Sequence, residues 1–450
     1  MVLCLLFIVI FGILLINYIM AKGDILCPPV ILSATYCISI GFAITQMQRW
    51  GLNTFHWNTF AAIVGGVCFF SISYHLGALV WRHIHGKAVI QSGKKIELKY
   101  IKVNNIILLA FIAIAIVIGV LYLKEVIRIA KANGASGTWS NYLYVYRRIA
   151  SFGEENATIG LNRYIKYGYE FVRAVGYLMC YFIVNNYFVQ KKINKLILVA
   201  ILVCIFVSSC NANRLEFIFY PISILTMSYI LSKARAGWEN RSNIKLILKL
   251  SVVFGVLILV FSATSTVIGR NVQGDIFYNI TIYLGGPIKL FDMFMQDKQV
   301  SLFVWGQETF GSTVNYILSK TQYSALQYST QKEFRYYNGL SLGNVYSGLR
   351  CYVHDFGYVG LSIIMSIYGA LFSWFYNGVK ISLYKNKIIP YGLIFYSYVI
   401  HCVFLEFYSN YFFEKTLTTT MLKMVIIIYV SGWYFVKVRH RYNIRFRFSI

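Results

Sequence analysis

Residues 344–376 read NVYSGLRCYVHDFGYVGLSIIMSIYGALFSWFY, a polar and aromatic stretch that runs directly into an apolar one. Arg350, His354 and Asp355 stand together where a membrane-crossing helix of roughly twenty residues would begin. Charged side chains at such a boundary are costly unless they line a wet cavity or find partners. The stretch therefore predicts a helix embedded in a membrane and a functional site at its start.

Composition extends this interpretation to the whole chain. Of 450 residues, 58% are hydrophobic and only 13% are charged, which leaves too little polar surface to enclose a soluble core of this size. Continuous apolar runs favour helices over the alternating strands of a barrel. The sequence predicts an all-α, polytopic membrane bundle, a single domain over 1–450 with about eleven transmembrane helices. The runs lie near 2–20, 28–46, 58–80, 103–123, 166–190, 196–210, 215–232, 247–267, 352–376, 389–408 and 417–436.

The net charge of +26 is spread among these runs and forms no single basic stripe, which argues against nucleic acid as a partner. The basic residues instead report topology, because short cytoplasmic loops carry an excess of Lys and Arg. Such loops hold Arg82, Lys87, Lys94, Lys95, Lys99, Lys102, Lys191, Lys192, Lys195, Lys233, Arg235, Arg241, Lys245, Lys249, Lys380, Lys385 and Lys387. The basic tail with Lys437, Arg439, Arg441, Arg445 and Arg447 belongs on the same side, which with eleven spans places the amino terminus outside, together with two larger outer segments, 124–165 and 268–351.

Each large outer segment has a recognisable pattern. The first contains Gly134-Ala135-Ser136-Gly137 and then Arg147-Arg148, which predicts a turn followed by a short amphipathic helix on the membrane surface. The second contains a moderately apolar stretch, 276–295, that is broken by Gly285-Gly286-Pro287. A break of this kind favours an interfacial or re-entrant element over a full crossing.

The sequence carries no signature of a metal, cofactor or nucleotide site. Its nine cysteines lie mostly inside apolar runs without a C-x-x-C pair, so we interpret them as small packing residues. The chain has no Gly-rich phosphate loop, no nucleophile elbow and no HExxH motif. We therefore expect no metal, no cofactor and no nucleotide-dependent reaction.

Cations outside the predicted cytoplasmic loops are mostly arginine. A guanidinium binds phosphate oxygens through two parallel hydrogen bonds and stays charged, so these arginines suit a lipid pyrophosphate or an acidic sugar. The alternative is that individual arginines pair with Glu or Asp, or lie at headgroup level. The residues are Arg147, Arg148, Arg163, Arg173, Arg214, Arg270, Arg335 and Arg350.

Two acidic neighbours of these arginines leave alternatives open. Arg173 lies inside the run 166–190, where an ion pair with Glu170 is the alternative to substrate binding. Arg214 lies in a tight turn beside Glu216, either as a local ion pair or as the cation and the acid of a site.

His354 lies one helical turn from Arg350 and next to Asp355. An imidazole or a carboxylate there suits proton transfer from a sugar hydroxyl while arginines stabilise a departing phosphate. The alternative is that His354 and Asp355 cap the following helix.

At three places the chain resembles the Wzy-type polymerases, the oligosaccharide repeat-unit polymerases of bacterial O-antigen and capsule synthesis. The residues are Asp24-Ile25-Leu26-Cys27-Pro28-Pro29-Val30, Asn213-Arg214, and Asn344-Val345-Tyr346 with Arg350 and Asp355-Phe356-Gly357-Tyr358-Val359-Gly360. The similarity in architecture covers nearly the whole chain. It implies a GT-C-like glycosyltransferase that joins undecaprenyl-pyrophosphate-linked glycans at the periplasmic face of the bacterial inner membrane, with a chain-length regulator as an expected partner protein.

These arguments give one set of candidate residues. We assign catalytic roles to His354, Asp355 and Glu216, and substrate binding to Asn344, Tyr346, Arg147, Arg163, Arg173, Arg214, Arg270, Arg335 and Arg350. The alternative functions are an O-antigen ligase, which passes the glycan to a lipid A core, and a lipid-linked oligosaccharide flippase. A flippase would distribute charge across the full membrane depth.

Overall fold

The computed structural model describes residues 1–85, 95–152, 160–211, 215–238, 255, 276–297, 305–326, 328, 331–385 and 388–437. Its helices are α1 (Val2–Met20), α2 (Pro28–Thr45), α3 (Trp57–His85), α4 (Asn105–Ala132), α5 (Trp139–Phe152), α6 (Arg163–Gln190), α7 (Lys195–Ser209), α8 (Glu216–Arg235), α9 (Ile276–Leu284), α10 (Gly286–Gln296), α11 (Gly311–Leu318), α12 (Leu349–Leu383), α13 (Tyr391–Val399), α14 (His401–Phe404) and α15 (Thr419–Lys437). Two short strands, β1 (Arg335–Tyr337) and β2 (Leu340–Gly343), form an antiparallel hairpin. A π-helix, Phe412–Thr416, precedes α15.

Seven of the described helices are long and apolar enough to cross a membrane by length and composition, namely α1, α2, α3, α4, α8, α12 and α15. Helix α7 and the pair α13–α14 are apolar but shorter. Helix α6 covers the predicted run 166–190. The predicted run 247–267 lies outside the described residues, apart from residue 255. The chain is therefore an all-α, multi-pass membrane protein.

The helix ends fall into two groups. At one end Asp24, which follows α1, accepts hydrogen bonds from the hydroxyls of Tyr229 and Tyr376 at 2.9 and 2.7 Å. Asp24 also pairs with Lys380 at 3.2 Å, so the ends of α1, α8 and α12 meet here, where the sequence predicts cytoplasmic loops. We call the opposite end, where the α2–α3 loop meets α9, α10 and β1, the site end.

The predicted interrupted segment forms a helical hairpin, α9 and α10. The ring of Tyr278 on α9 contacts Trp50 at the site end, with centroids 6.4 Å apart. The carbonyl of Leu284 then accepts a hydrogen bond of 2.6 Å from Ser39, deeper along α2. The chain turns at Gly285-Gly286-Pro287 and α10 returns to the start of α3. The helix break is where the sequence predicts it.

The tip of the α9–α10 hairpin packs closely against α2, and a substitution there tests this packing. A Cβ on Gly285 would lie 2.6 Å from the backbone nitrogen of Ala43, which cannot move without distorting α2. We expect Gly285→Ala to lower the free energy of unfolding by about 1–3 kcal/mol. The adjacent Gly286→Ala is the matched control, since its Cβ would meet nothing closer than 3.7 Å. Thermal melting of both purified variants measures the difference, and equal melting temperatures would contradict the packing.

Helix α12 contains a reversal. Gly357 has φ 63° and ψ −163°, a conformation essentially restricted to glycine. After it, the hydroxyl of Tyr358 donates to a carbonyl in the first turn of α3 at 3.2 Å. Before it, Tyr352 lies 5.9 Å from the ring of Phe413, which Tyr368 also contacts at 5.5 Å from deep inside the bundle. The arm 349–356 therefore runs out of the bundle and the arm 358–383 runs back in.

This geometry corrects the prediction of one continuous span over 352–376 that starts at the membrane boundary. The hydroxyls of Ser347 and Tyr36 lie 2.7 Å apart, and Tyr36 is in the middle of α2. The start of α12 is therefore set inside the bundle. The prediction was wrong because the reversal depends on a single residue, Gly357, and an apolar run does not show which of its glycines leaves the helical conformation.

The predicted helix in the first outer segment is confirmed. Helix α5 follows Gly134 and Gly137, which both have positive φ. The hydroxyl of Tyr146 on α5 lies 3.0 Å from that of Tyr122 on α4, so α5 packs back on the bundle.

Candidate functional site

Arg350 is the centre of the site end. Its guanidinium donates to the two carboxylate oxygens of Glu333 at 2.9 and 3.1 Å and lies 3.5 Å from Glu308. Its Cζ lies 4.0 Å from the ring centroid of Tyr346 and 4.6 Å from that of Phe294. Only 4% of Arg350 is exposed, which this arrangement tolerates because carboxylates and ring faces surround the charge.

The β-hairpin brings a second arginine to the same place. Arg335, at the start of β1, pairs with Asp297 and, at 2.8 Å, with Glu333. Its Cζ lies 5.7 Å from the ring centroid of Tyr346, and the Tyr346 hydroxyl donates to Glu333 at 3.0 Å. Glu333 therefore bridges Arg335 and Arg350. The side chains of Glu333 and Asp297 are about half exposed, 46% and 47%.

A buried ion pair lies beneath these groups. Lys332 lies 2.9 Å from Glu308, whose other oxygen accepts a hydrogen bond from the Tyr328 hydroxyl at 3.1 Å. Burial acts to raise the pKa of Glu308, but Lys332, Arg350 and His354 together hold that pKa below its usual range. Glu308 is therefore a permanent carboxylate that fixes two of the cations.

Three cations and three carboxylates pair with one another in this part of the cluster. Lys332, Arg335 and Arg350 face Asp297, Glu308 and Glu333. Burial opposes ionisation of Glu333, but hydrogen bonding and the charge of Arg350 hold its pKa at about 2. A carboxylate of such weak basicity is a poor proton acceptor. Its contribution is to neutralise the two arginines.

His354 and Asp355 join the cluster from the arm 349–356. The Asp355 carboxylate accepts backbone hydrogen bonds from Glu308 at 3.0 Å and Thr309 at 2.6 Å, and lies 3.0 Å from His354 Nδ1. Asp355 therefore stabilises the turn before α11 through these hydrogen bonds and does not cap the helix that follows Gly357. His354 Nε2 faces Glu308 at 3.9 Å, so both ring nitrogens of His354 are directed at carboxylates.

A second histidine and acid pair lies nearby and was missed in the sequence. The imidazole Nδ1 of His56 lies 3.2 Å from Asp292 on α10, and the backbone N–H of His56 donates to the same carboxylate at 3.1 Å. Thr59 donates to Asp292 at 2.7 Å. Asp292 is buried, whereas the side chain of His56 is 41% exposed. No local pattern connects the two residues, which only the α9–α10 hairpin brings together.

The structure brings together six of the predicted site residues, namely Arg335, Asn344, Tyr346, Arg350, His354 and Asp355. All six are joined by the contacts above or by the amide of Asn344, which donates to Gln331 at 3.1 Å beside Lys332.

The other predicted residues lie apart from this cluster or outside the description. Arg163 donates to Tyr167 at 2.8 Å on the exposed start of α6, and Arg147 lies on α5. Arg173 lies 5.9 Å from the ring of Tyr398, while Glu170 pairs with Lys423 at 3.2 Å. Three predicted site groups lie outside the described residues, namely Arg214, Arg270 and the side chain of Glu216.

The ion pairs around Arg335 and Arg350 suit an anion site. Two guanidinium groups share one half-exposed carboxylate, so an anion of matching charge can take its place. Among the described residues no group of His, Cys, Asp or Glu is arranged to hold a metal ion. No family model, no curated protein and no solved structure matches this chain.

Proposed function

We propose that this protein polymerises undecaprenyl-pyrophosphate-linked oligosaccharide repeat units into O-antigen or capsular polysaccharide at the periplasmic face of the bacterial inner membrane. The observation that carries the proposal is the bridge from Arg335 through Glu333 to Arg350 at one end of a membrane bundle. A pyrophosphate on a lipid carrier reaches such a site from the bilayer.

Binding is an exchange of anions. The pyrophosphate displaces Glu333 and Asp297, which are half exposed and free to turn toward water, and keeps Glu308 as the buried partner of Arg350. The site does not have to bury additional charge, because the pyrophosphate replaces carboxylates that the arginines already bind. Tyr346 holds both guanidinium planes in place.

The same arginines serve the reaction. When the glycan is transferred, the bond between its anomeric carbon and the phosphate oxygen breaks, and negative charge grows on the leaving pyrophosphate. Guanidinium groups fixed before the reaction stabilise that charge without reorganisation. The carrier bond supplies the free energy, so the reaction needs neither a nucleotide nor a cofactor.

The distribution of charge favours this enzyme over a flippase. Two of the described ionic clusters, Asp24–Lys380 and the one around Arg350, lie toward opposite ends of the bundle. Between them α12 packs through aromatic rings, such as Tyr368 against Phe372 and Phe412 at 5.0 and 4.9 Å. A carrier path for a charged headgroup would put polar groups along that depth.

The test is the surface polysaccharide of the native host, separated as a ladder on a gel after the chromosomal gene has been deleted and replaced. We expect wild type to restore long chains and Arg335→Ala to leave a single repeat unit on the core lipid or carrier. Arg128→Ala is the matched control, since Arg128 forms an exposed ion pair of 2.7 Å with Glu125 away from the site. That variant should keep the full ladder.

Other results would assign another function. If the deletion leaves chain length unchanged but stops glycan from reaching the core lipid, the protein is a ligase. If repeat units accumulate on the cytoplasmic side of the membrane, it is a flippase. A full ladder from Arg335→Ala at wild-type expression would remove the arginine site from the proposal.

A further inference from the structure

The pair His56–Asp292 has the geometry of an oriented base. An ionised carboxylate only accepts hydrogen bonds, so the contact of 3.2 Å with Asp292 places the ring hydrogen of His56 on Nδ1. The lone pair of the neutral imidazole is then on Nε2. In the described part of the chain Nε2 has no hydrogen-bond partner, and the side chain is 41% exposed at the site end. This leaves a proton acceptor on a partly exposed side chain.

Asp292 is built to hold this orientation. Its carboxylate is buried and accepts hydrogen bonds from the His56 backbone, from Thr59 at 2.7 Å and from the Gln296 amide at 3.2 Å. These donors fix the position of the carboxylate. The arrangement is that of acids that orient a catalytic histidine and stabilise its protonated form.

His354 is less suited to the same task. Both of its nitrogens face carboxylates, Asp355 at 3.0 Å and Glu308 at 3.9 Å, and its side chain is only 11% exposed. An acceptor hydroxyl would have to displace one of these contacts. The cluster around His354 therefore fits a positioning role beside Arg350.

Helix α10 connects the base to the arginines. It carries Asp292 on the face toward α3, and it also carries Phe294, whose ring lies 4.6 Å from Arg350. The pair and the anion site thus lie on two sides of one short helix at the same end of the bundle.

We propose that His56, oriented by Asp292, is the catalytic base for the acceptor glycan, an inference that rests on the proposed function. The acceptor hydroxyl loses its proton to Nε2 of His56 as its oxygen bonds to the anomeric carbon of the donor glycan. The bond from that carbon to the pyrophosphate oxygen breaks, and the lipid pyrophosphate leaves with the electron pair. His56 then returns the proton to water or to the leaving group.

The test uses the purified full-length protein in lipid nanodiscs and, as substrate, the lipid-linked repeat units extracted from the host strain that lacks this gene. His56→Asn keeps an N–H donor for Asp292 but has no lone pair at the position of Nε2. We expect its turnover to fall by about 10²-fold or more, with a KM within about threefold of wild type. Asp292→Asn, which alters only the positioning residue, should lose about 10-fold.

A second measurement separates chemistry from folding. His56→Ala opens space at an exposed position, so added imidazole should restore part of its turnover in proportion to imidazole concentration. Restoration requires a missing base, and a merely structural role would give none. The matched control is His354→Ala, whose site is enclosed and which imidazole should leave unchanged.

The outcomes distinguish this inference from the proposed function. If wild type forms no polymer from these substrates and does not bind undecaprenyl pyrophosphate, the proposed function fails. If wild type polymerises and Arg335→Ala does not, but His56→Asn keeps at least half of the wild-type turnover, the base assignment alone is overturned. Absence of imidazole rescue in a folded His56→Ala protein would overturn it as well.

Discussion

Arg350→Ala is expected to abolish polymer formation and to lower the free energy of unfolding by about 3–5 kcal/mol. Arg350 is 4% exposed and holds both Glu308 and Glu333. Removing it leaves Glu308 buried with Lys332 as its remaining ion-pair partner in the described cluster. Thermal melting of the purified protein and the polysaccharide ladder of the complemented host measure the two effects.

If Arg350→Ala does not fold, a conservative variant still tests the role of Arg350 in binding. Arg350→Lys retains the charge, but an ammonium cannot donate to both oxygens of Glu333 as the guanidinium does at 2.9 and 3.1 Å. We expect a folded protein with at least a 10-fold loss of affinity for undecaprenyl pyrophosphate. Arg128→Lys, at the exposed pair with Glu125, is the control for the same change of chemistry. Unchanged affinity in Arg350→Lys would show that Arg350 serves only structure.

Apolar runs predict most of the helices because a bilayer imposes their length. The predicted run 2–20 coincides with Val2–Met20, and 28–46 differs from Pro28–Thr45 by one residue. The break at Gly285-Gly286-Pro287 was also visible, since proline cannot continue the hydrogen bonding of α9. Local sequence therefore determines where these helices begin and end.

The contacts of the site could not be predicted from the sequence because they join segments that are far apart along the chain. Glu333 lies 17 residues before Arg350, and Asp292 lies 236 residues after His56. Outer arginines suggested a phosphate site, and ion pairing was the stated alternative. The structure shows Arg335 and Arg350 in ion pairs at rest, so pairing and substrate binding are successive states of one site in the proposed mechanism.

Gly357→Ala is expected to have the second large effect, because it removes the reversal of α12 that places Arg350 inside the bundle. The φ of 63° and ψ of −163° are outside the left-handed helical region, so asparagine is no better tolerated than alanine. Either residue costs about 1–3 kcal/mol in backbone strain. The protein relieves this strain by moving the arm 349–356, which displaces Arg350 and His354 together.

The measurement is binding of undecaprenyl pyrophosphate to the purified variants, alongside thermal melting. We expect Gly357→Ala and Gly357→Asn to lose binding by at least 10-fold and to melt at lower temperature. Gly378→Ala, further along α12 with helical backbone and open space around its Cβ, should melt at or above the wild-type temperature because alanine favours a helix. Wild-type binding by Gly357→Asn would mean that the turn adopts a left-handed helical conformation instead. That result would contradict the reversal of α12 at Gly357 and the position of Arg350 that depends on it.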